Sequence, residues 1–367
     1  MRRFLLLAGL ALLPWLTGCG TVGYYAQAVR GQAGILHRQQ PVERLLANSN
    51  TPPALRRQLE LVLRLRAFAE TELGLPTGGH YRHYADLGRP YAVWNVHATP
   101  EFSLEARSWW YPVVGRLEYR GYFSEAKARR LAGKLSAQGY DVHVGGVAAY
   151  STLGWFRDPV LNTFVFAPEA DLADTLFHEL THQRLFVPGD TDFNEALATA
   201  VAEAGVERWL TQAGDPAALR RHREAVARRD QFVALVLAAR GRLAHLYGMA
   251  AGPVACRCPS EGGGNCAEDC VAGDLRRRKA ALFADLRRDY EALKEREWGG
   301  AAEYDGWFRR PLNNALLHTV DTYHTLVPAF RRRLADRAGD WEGFFREMAE
   351  LGRLSRKERH RRLTEAR

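Results

Sequence analysis

His178 and His182 stand four residues apart with Glu179 between them, and Glu195 follows beyond a Pro188-Gly189 break. On a helix, residues i and i+4 share a face. Both imidazoles can therefore reach one zinc ion through ring nitrogens at about 2.0–2.1 Å. Glu179 adjoins the first histidine, where it can take a proton from a water at the ion without being a ligand itself. A hydrolytic zinc site needs a third protein ligand and an open fourth position. Glu195 supplies that ligand if a second helix, capped at Asp192, returns antiparallel past the histidines. Its plainer alternative is a solvent-facing glutamate in a first helical turn, favoured by the helix dipole. Glu203, two turns later, is the rival ligand or a supporting partner.

These residues need a scaffold, and the texture of the chain divides into three parts. Residues of about 19–80 carry apolar side chains at helical spacing, with breaks at Pro41 and at Pro52-Pro53. Residues of about 81–168 are shorter, β-rich and aromatic: "YAVWNV", "VVGRLEYRGYF" and "YDVHVGGV" read as strands. Between the last two, "SEAKARRLAGKLSAQG" reads as a helix capped by Ser124 and stopped by Gly139. "NTFVFAP" (Asn162 to Pro168) reads as one more strand, leading into the histidine helix. From Glu169 onward the pattern is helical, with Leu172, Leu176 and Leu180 as the buried side of the histidine helix. It is interrupted by a cysteine-rich loop at 256–270. The expected fold class is α+β: one domain over 19–367, mainly helical, with a small mixed sheet preceding the H-E-x-x-H helix.

The first residues bear on location. "MRRFLLLAGLALLPWLTGCG" has Arg2 and Arg3, then an apolar run from Phe4 to Leu16 that is too short to span a bilayer comfortably. This is the layout of an export signal over residues 1–18. Leu16-Thr17-Gly18-Cys19 resembles the bacterial lipobox, in which the cysteine becomes the lipidated first residue. A multi-chain lipid on Cys19 anchors firmly, since each buried methylene adds about 0.8 kcal/mol. Gly20 stands where an inner-membrane retention aspartate would be, so the resemblance to Gram-negative lipoproteins implies an outer-membrane anchor facing the periplasm. Cys256, Cys258, Cys266 and Cys270 fit this route. Exported thiols in a Gly-rich loop read as two disulfides ahead of a structural metal, with the pairing open.

The 367-residue chain is 47% hydrophobic and 25% charged, enough for a packed core. Its formal charge of +9 comes mostly from arginine and is densest in "RLSRKERHRRLTEAR". That stretch reads as a solvated helix face or frayed terminus. No zinc-finger spacing, RNA-binding signature or aromatic-basic stripe is present, so nucleic acid is not an expected partner.

Larger stretches carry a family resemblance. "HELTHQ" followed by "FNEALAT" is similar to the gluzincin metallopeptidases, and "NEALAT" is close to the "NEGFAT" of aminopeptidase N-type enzymes. "TGCGTVGYYAQAVRGQ", "YAVWNVHATPEFSL", "YRGYF", "GGVAAYSTLGWFRDP" and "NNALLHTVDTYHTLVPAF" resemble a bacterial family of predicted aminopeptidases with lipoprotein signals. The resemblance covers most of the chain. It implies a zincin-like domain, a peptide or protein substrate, and Zn2+ held by His178, His182 and Glu195 with Glu179 as general base. By analogy with tyrosine donors in related enzymes, Tyr323 stabilises the oxyanion; His318 and His324 are the other candidates, and a packed aromatic is the plain alternative for Tyr323. "NTFVFAP" resembles the edge strand on which zincins lay substrate. Glu101 either binds a substrate amine or is a structural carboxylate. No G-x-M-E-N, the amine-holding segment of aminopeptidase N-type enzymes, is present. Exopeptidase, envelope endopeptidase and a non-catalytic zinc-containing lipoprotein all stay open.

Overall fold

Prolines and apolar periodicity set the first elements. The structure, a computed structural model, describes residues 19–111, 115–149, 157–249, 266–324 and 326–365, without the side chains of 19–21, 249, 266–269 and 322–324. Helix α1 spans Cys19–His37, strand β1 Gln40–Pro41, α2 Val42–Ala47 and α3 Pro53–Glu72. Pro53 sits in the first turn of α3, where its missing N–H costs no hydrogen bond. Leu55, Leu59, Val62, Leu65 and Ala69 recur at helical spacing and form the buried stripe of α3.

The middle third forms three small sheets rather than the single mixed sheet expected. Strand β2 (His83–Ala85) pairs antiparallel with β1 and parallel with β8 (Val160–Leu161). Strand β3 (Val93–Pro100) is central in an antiparallel sheet, between β6 (Arg120–Tyr122) and β7 (Tyr140–Val147). Strands β4 (Trp109–Tyr111) and β5 (Gly115–Leu117) form a separate ribbon. Successive side chains of a strand alternate faces. Trp94, Val96 and Ala98 pack under α4 (Glu125–Ser136), through Ala128 and Leu135. Gly139 follows α4 with a φ of +82°, as its expected stop requires. Ser124 occupies the N-cap position, but its side chain makes no capping bond.

"NTFVFAP" is not a strand. Only Val160 and Leu161 pair in a sheet, and Asn162–Phe166 turns. The amides of Phe164 and Val165 both donate to Leu161 O, and Asn162 Oδ1 accepts from Leu87 N at 2.8 Å. Local bonds thus take the backbone groups that a ladder would need. Phe164 and Val165 fill the core, which explains the apolar run without a strand.

The remainder is helical: α5 (Glu169–Arg184), α6 (Thr191–Gln212), α7 (Pro216–Met249), α8 (Cys266–Glu297), α9 (Asp305–Phe308), α10 (Asn314–His324), α11 (Val327–Asp336), α12 (Trp341–Gly352) and α13 (Arg356–Thr364). The described chain is therefore mainly helical with small sheets, as the α+β expectation requires. Residues 250–265 between α7 and α8, with Cys256 and Cys258, lie outside the described residues, as does the Cys266 side chain; Cys270 is exposed. One apolar core joins α1 to α13, from Ile35 to Leu363. A second, around Phe232, Phe283 and Tyr290, fills the space between α7, α8 and α9. Helix α10 touches α6, α7, β3 and β7, so it joins the sheet to the helical half. No described helix is long and apolar enough to cross a membrane.

Candidate metal centre

Helices α5 and α6 are antiparallel neighbours whose close approach depends on small residues. Gly205 on α6 has no room for a side chain: a Cβ would lie 2.8 Å from Leu73 Cδ1 and 2.9 Å from Phe177 Cδ2. The buried alanines Ala196, Ala198, Ala200 and Ala202 continue this slim helix. The turn between the two helices is clasped by Asn194. Its Oδ1 accepts from Val187 N and its Nδ2 donates to Val187 O, both at 2.8 Å, and the residue is buried. That clasp fixes the start of α6 and so the position of Glu195, the next residue.

The cap of α6 is Asp190, not Asp192. Asp190 accepts from Phe193 N at 3.3 Å, while Asp192 lies inside the first turn and pairs with Arg356 at 2.6 Å. Asp190 is itself held by Arg359 and by His360 Nε2 at 2.9 Å, both from α13. The basic end of the chain is therefore a docked helix rather than a frayed terminus. Arg359 is buried, and Arg361 and Arg362 pair with Glu358.

The three sequence-predicted ligands converge. His178 Nε2 lies 3.2 Å from Glu195 Oε2, and His182 Nε2 lies 3.8 Å from the same oxygen. The two imidazole rings are 4.9 Å apart, centroid to centroid, and nearly perpendicular. Potential ligand atoms of all three residues fall within 4.8 Å of one another. Ligands at about 2.0–2.1 Å from a tetrahedral zinc are separated by about 3.4 Å. The observed 3.2 and 3.8 Å bracket that value, so the donor set and its spacing fit a zinc ion. His182 Nδ1 is buried without a hydrogen-bond partner among the described residues.

Electrostatics follow from the convergence. Burial opposes charge on His178, but its bond to Glu195 and the charges of Glu195, Glu179 and Asp174 together lift it to about 9. Burial would raise Glu195, yet His182 and His178 together hold it well below the usual carboxylate range. Glu179 behaves oppositely. Burial raises it, with the charges of Glu195 and Asp158 adding to the rise against the pull of His178 and His182. A carboxylate raised in this way has a stronger hold on a transferred proton.

Glu203 is not a third donor. It is buried and engaged by Arg229 and by Arg331, whose Nη2 donates to Oε1 at 2.9 Å. Glu101 is not among the converging ligands; it forms a bidentate pair with Arg276 at 2.7 and 2.8 Å, and its backbone oxygen accepts from Lys279. His318, on α10, is buried and pairs through Nε2 with Glu118 at 3.0 Å. The side chains of Tyr323 and His324 lie outside those described, although both residues fall within α10.

Sequence reasoning missed Asp158, whose charge acts on Glu179. Asp158 is buried, accepts from Gln183 Nε2 at 3.4 Å and lies 3.4 Å from His80 Nδ1. Its backbone oxygen accepts from Tyr81 N at 2.7 Å. Tyr81 is a non-glycine residue with φ of +58°, a conformation that costs energy and persists only where surroundings enforce it. Burial, with the charges of Glu179 and Asp158, pushes its hydroxyl well above the ordinary value. The clue in the sequence was the Gly78-Gly79 pair before His80, a turn signal with no hint of its distant partners.

The profile of a family described as "Putative aminopeptidase" matches residues 23–363. The chain belongs to this family. The match runs from α1 to α13, so family membership covers the site, the sheets and the helix that locks Asp190. No curated protein matches the chain, and no solved structure does.

Proposed function

We propose that this member of the aminopeptidase family is a zinc-dependent, zincin-like peptidase of the gluzincin type. The observation that carries the reading is the convergence of His178, His182 and Glu195 at the spacing of a tetrahedral zinc site, with Glu179 beside them. A bound zinc ion would supply Lewis acidity that makes water nucleophilic near neutral pH and polarises a carbonyl. His178 and His182 would hold the ion through ring nitrogens, His178 giving up the proton that Glu195 favours, and Glu195 offers charge and anchors the set to α6. Three protein donors leave a position for substrate, whereas structural zinc is usually closed by four. Glu179 accepts the proton of the attacking water and passes it to the leaving amine. Burial, helped by the charges of Glu195 and Asp158, keeps its carboxylate basic. Tyr323 is our choice of oxyanion donor; His318 is less suited because Glu118 already holds its Nε2.

We place the enzyme in the bacterial cell envelope, lipid-anchored at Cys19, facing the periplasm from the outer membrane, on the Leu16–Cys19 motif. The late cysteines are expected to be disulfide-bonded there. The purified chain should contain about one zinc per molecule and cleave peptides. A series with free and blocked amino termini separates aminopeptidase action, which the family name favours, from endopeptidase action. Absence of zinc, or cleavage unaffected by its chelation, would refute the proposal.

A further inference from the structure

A cavity of about 270 Å3 opens between α1 and the start of α4, lined by Gln27, Arg30, Arg38, Arg89, Ser124 and Lys127, among others. Four of these six residues are cations, and among the described residues none forms an ion pair with a carboxylate. Arg89 is held instead by backbone oxygens, those of Phe123 and, at 2.7 Å, Ala92; Arg38 donates to Asp86 O at 3.2 Å. Arg89 Nε stays buried without a partner among the described residues. Gln27, only 6% exposed, uses Oε1 to accept from Phe123 N at 3.1 Å and leaves its Nε2 buried and without a partner among the described residues. Such donors are costly to bury unless something accepts from them.

The start of α4 adds to this surplus. The first amides of a helix have no intrahelical acceptor and form its positive end. Ser124 is extended, and its hydroxyl does not cap them. Gln27, Gly31 and Gly34 recur at helical spacing on α1, Arg38 follows in the turn after it, and all four line the cavity. Gly31 packs against Phe123, while a Cβ on Gly34 would meet nothing within 4 Å, so the helix leaves room at that point. Burial, together with the charge of Arg38, draws Arg89 below its ordinary value, as in a pocket short of negative charge.

We propose that this cavity binds a phosphate group, either as inorganic phosphate or as the phosphomonoester headgroup of a lipid. Several acceptor oxygens and a double negative charge match guanidinium, ammonium and amide donors lining a small volume beside the positive end of α4. This inference is independent of the metal centre. Calorimetric titration of the detergent-purified full chain tests it, with inorganic phosphate, dihexanoyl phosphatidic acid and dihexanoyl phosphatidylcholine as probes. One of the first two should bind with a stoichiometry of one, and phosphatidylcholine should not. The double variant Arg38→Ala/Lys127→Ala should weaken binding at least tenfold. Arg130→Ala/Lys134→Ala, an equal loss of charge at exposed positions of α4, should leave it within twofold. Gly34→Leu should abolish binding and keep the thermal midpoint, because the space it fills is empty. Tenfold tighter binding of phosphatidic acid than of phosphate identifies the lipid headgroup; comparable affinities identify the free anion. The proposal falls if neither anion binds, if Arg38→Ala/Lys127→Ala binds like the unaltered chain, or if the control pair is weakened as much.

Discussion

Glu179 and Glu195 are glutamates at opposite ends of one task. The carboxylate of Glu195 sits 3.2 Å from a histidine nitrogen, whereas Glu179 is raised by burial and by its acidic neighbours. Glu179→Gln keeps shape and removes the proton acceptor. We expect it to fold, retain about one zinc and lose about 10²–10⁴-fold in hydrolysis. Glu195→Ala should lose the metal, read by zinc content after dialysis. Glu203→Ala should keep zinc but lower stability by about 3 kcal/mol, because it leaves Arg229 and Arg331 facing a vacated buried carboxylate. If Glu195→Ala retains zinc and Glu203→Ala loses it, the ligand assignment is wrong. At this scale the sequence was informative for the histidines and Glu195, since helical periodicity alone puts His178 and His182 on one face. It was silent on Asp158 and Tyr81, which are coupled electrostatically to Glu179 across about 20 to 100 residues of chain, and no local pattern encodes that.

At the scale of elements, the site is a helix pair and its turn. Asn194→Ala removes both bonds to Val187 and leaves that buried amide and carbonyl without their partner. The expected cost is about 2–3 kcal/mol in chemical denaturation. Zinc affinity should fall with it, since Glu195 is the adjacent residue; unchanged affinity and stability would mean that the clasp is incidental. Helix boundaries were read well where proline or glycine punctuates them, as at Pro53 and Gly139. The cap of α6 was misplaced by two residues because Asp190 and Asp192 offer the same chemistry. Only the docking of Arg359 and His360 on Asp190 and of Arg356 on Asp192 separates them. Apolar content misled at Asn162–Pro168, where core-filling residues sit in turns rather than on a strand.

For the whole molecule, the sheets and helices are held together through α10 and its pairings. His318 holds Glu118 below the usual carboxylate range, with Arg356 and Arg240 adding to the effect. A carboxyl depressed by folding contributes stability that is fully present above its unfolded value of about 4.5 and is lost as pH falls through its folded value. The stability difference between the unaltered chain and Glu118→Gln should therefore be largest above that pH and shrink on acidification. Thermal melts across an acidic pH series check this; a difference that grows on acidification would refute it. Location is a separate whole-molecule question. Labelling with a fatty acid in bacteria should depend on Cys19, and labelling that survives Cys19→Ala would overturn the anchor. The α+β class was legible because the segments alternate so clearly in texture. The division into three small sheets was not, because strands of two or three residues carry no periodicity to read.

The lock on Asp190 also sets an order of events. A chain made from its amino terminus presents His178, His182 and Glu195 well before Arg359 and His360 exist, yet Asp190, the cap of the helix that carries Glu195, is held by those last two residues. Completion of the site is thus deferred until almost all of the matched region has been synthesised. A growing or truncated chain holds the converging histidines and glutamate without the brace behind their second helix.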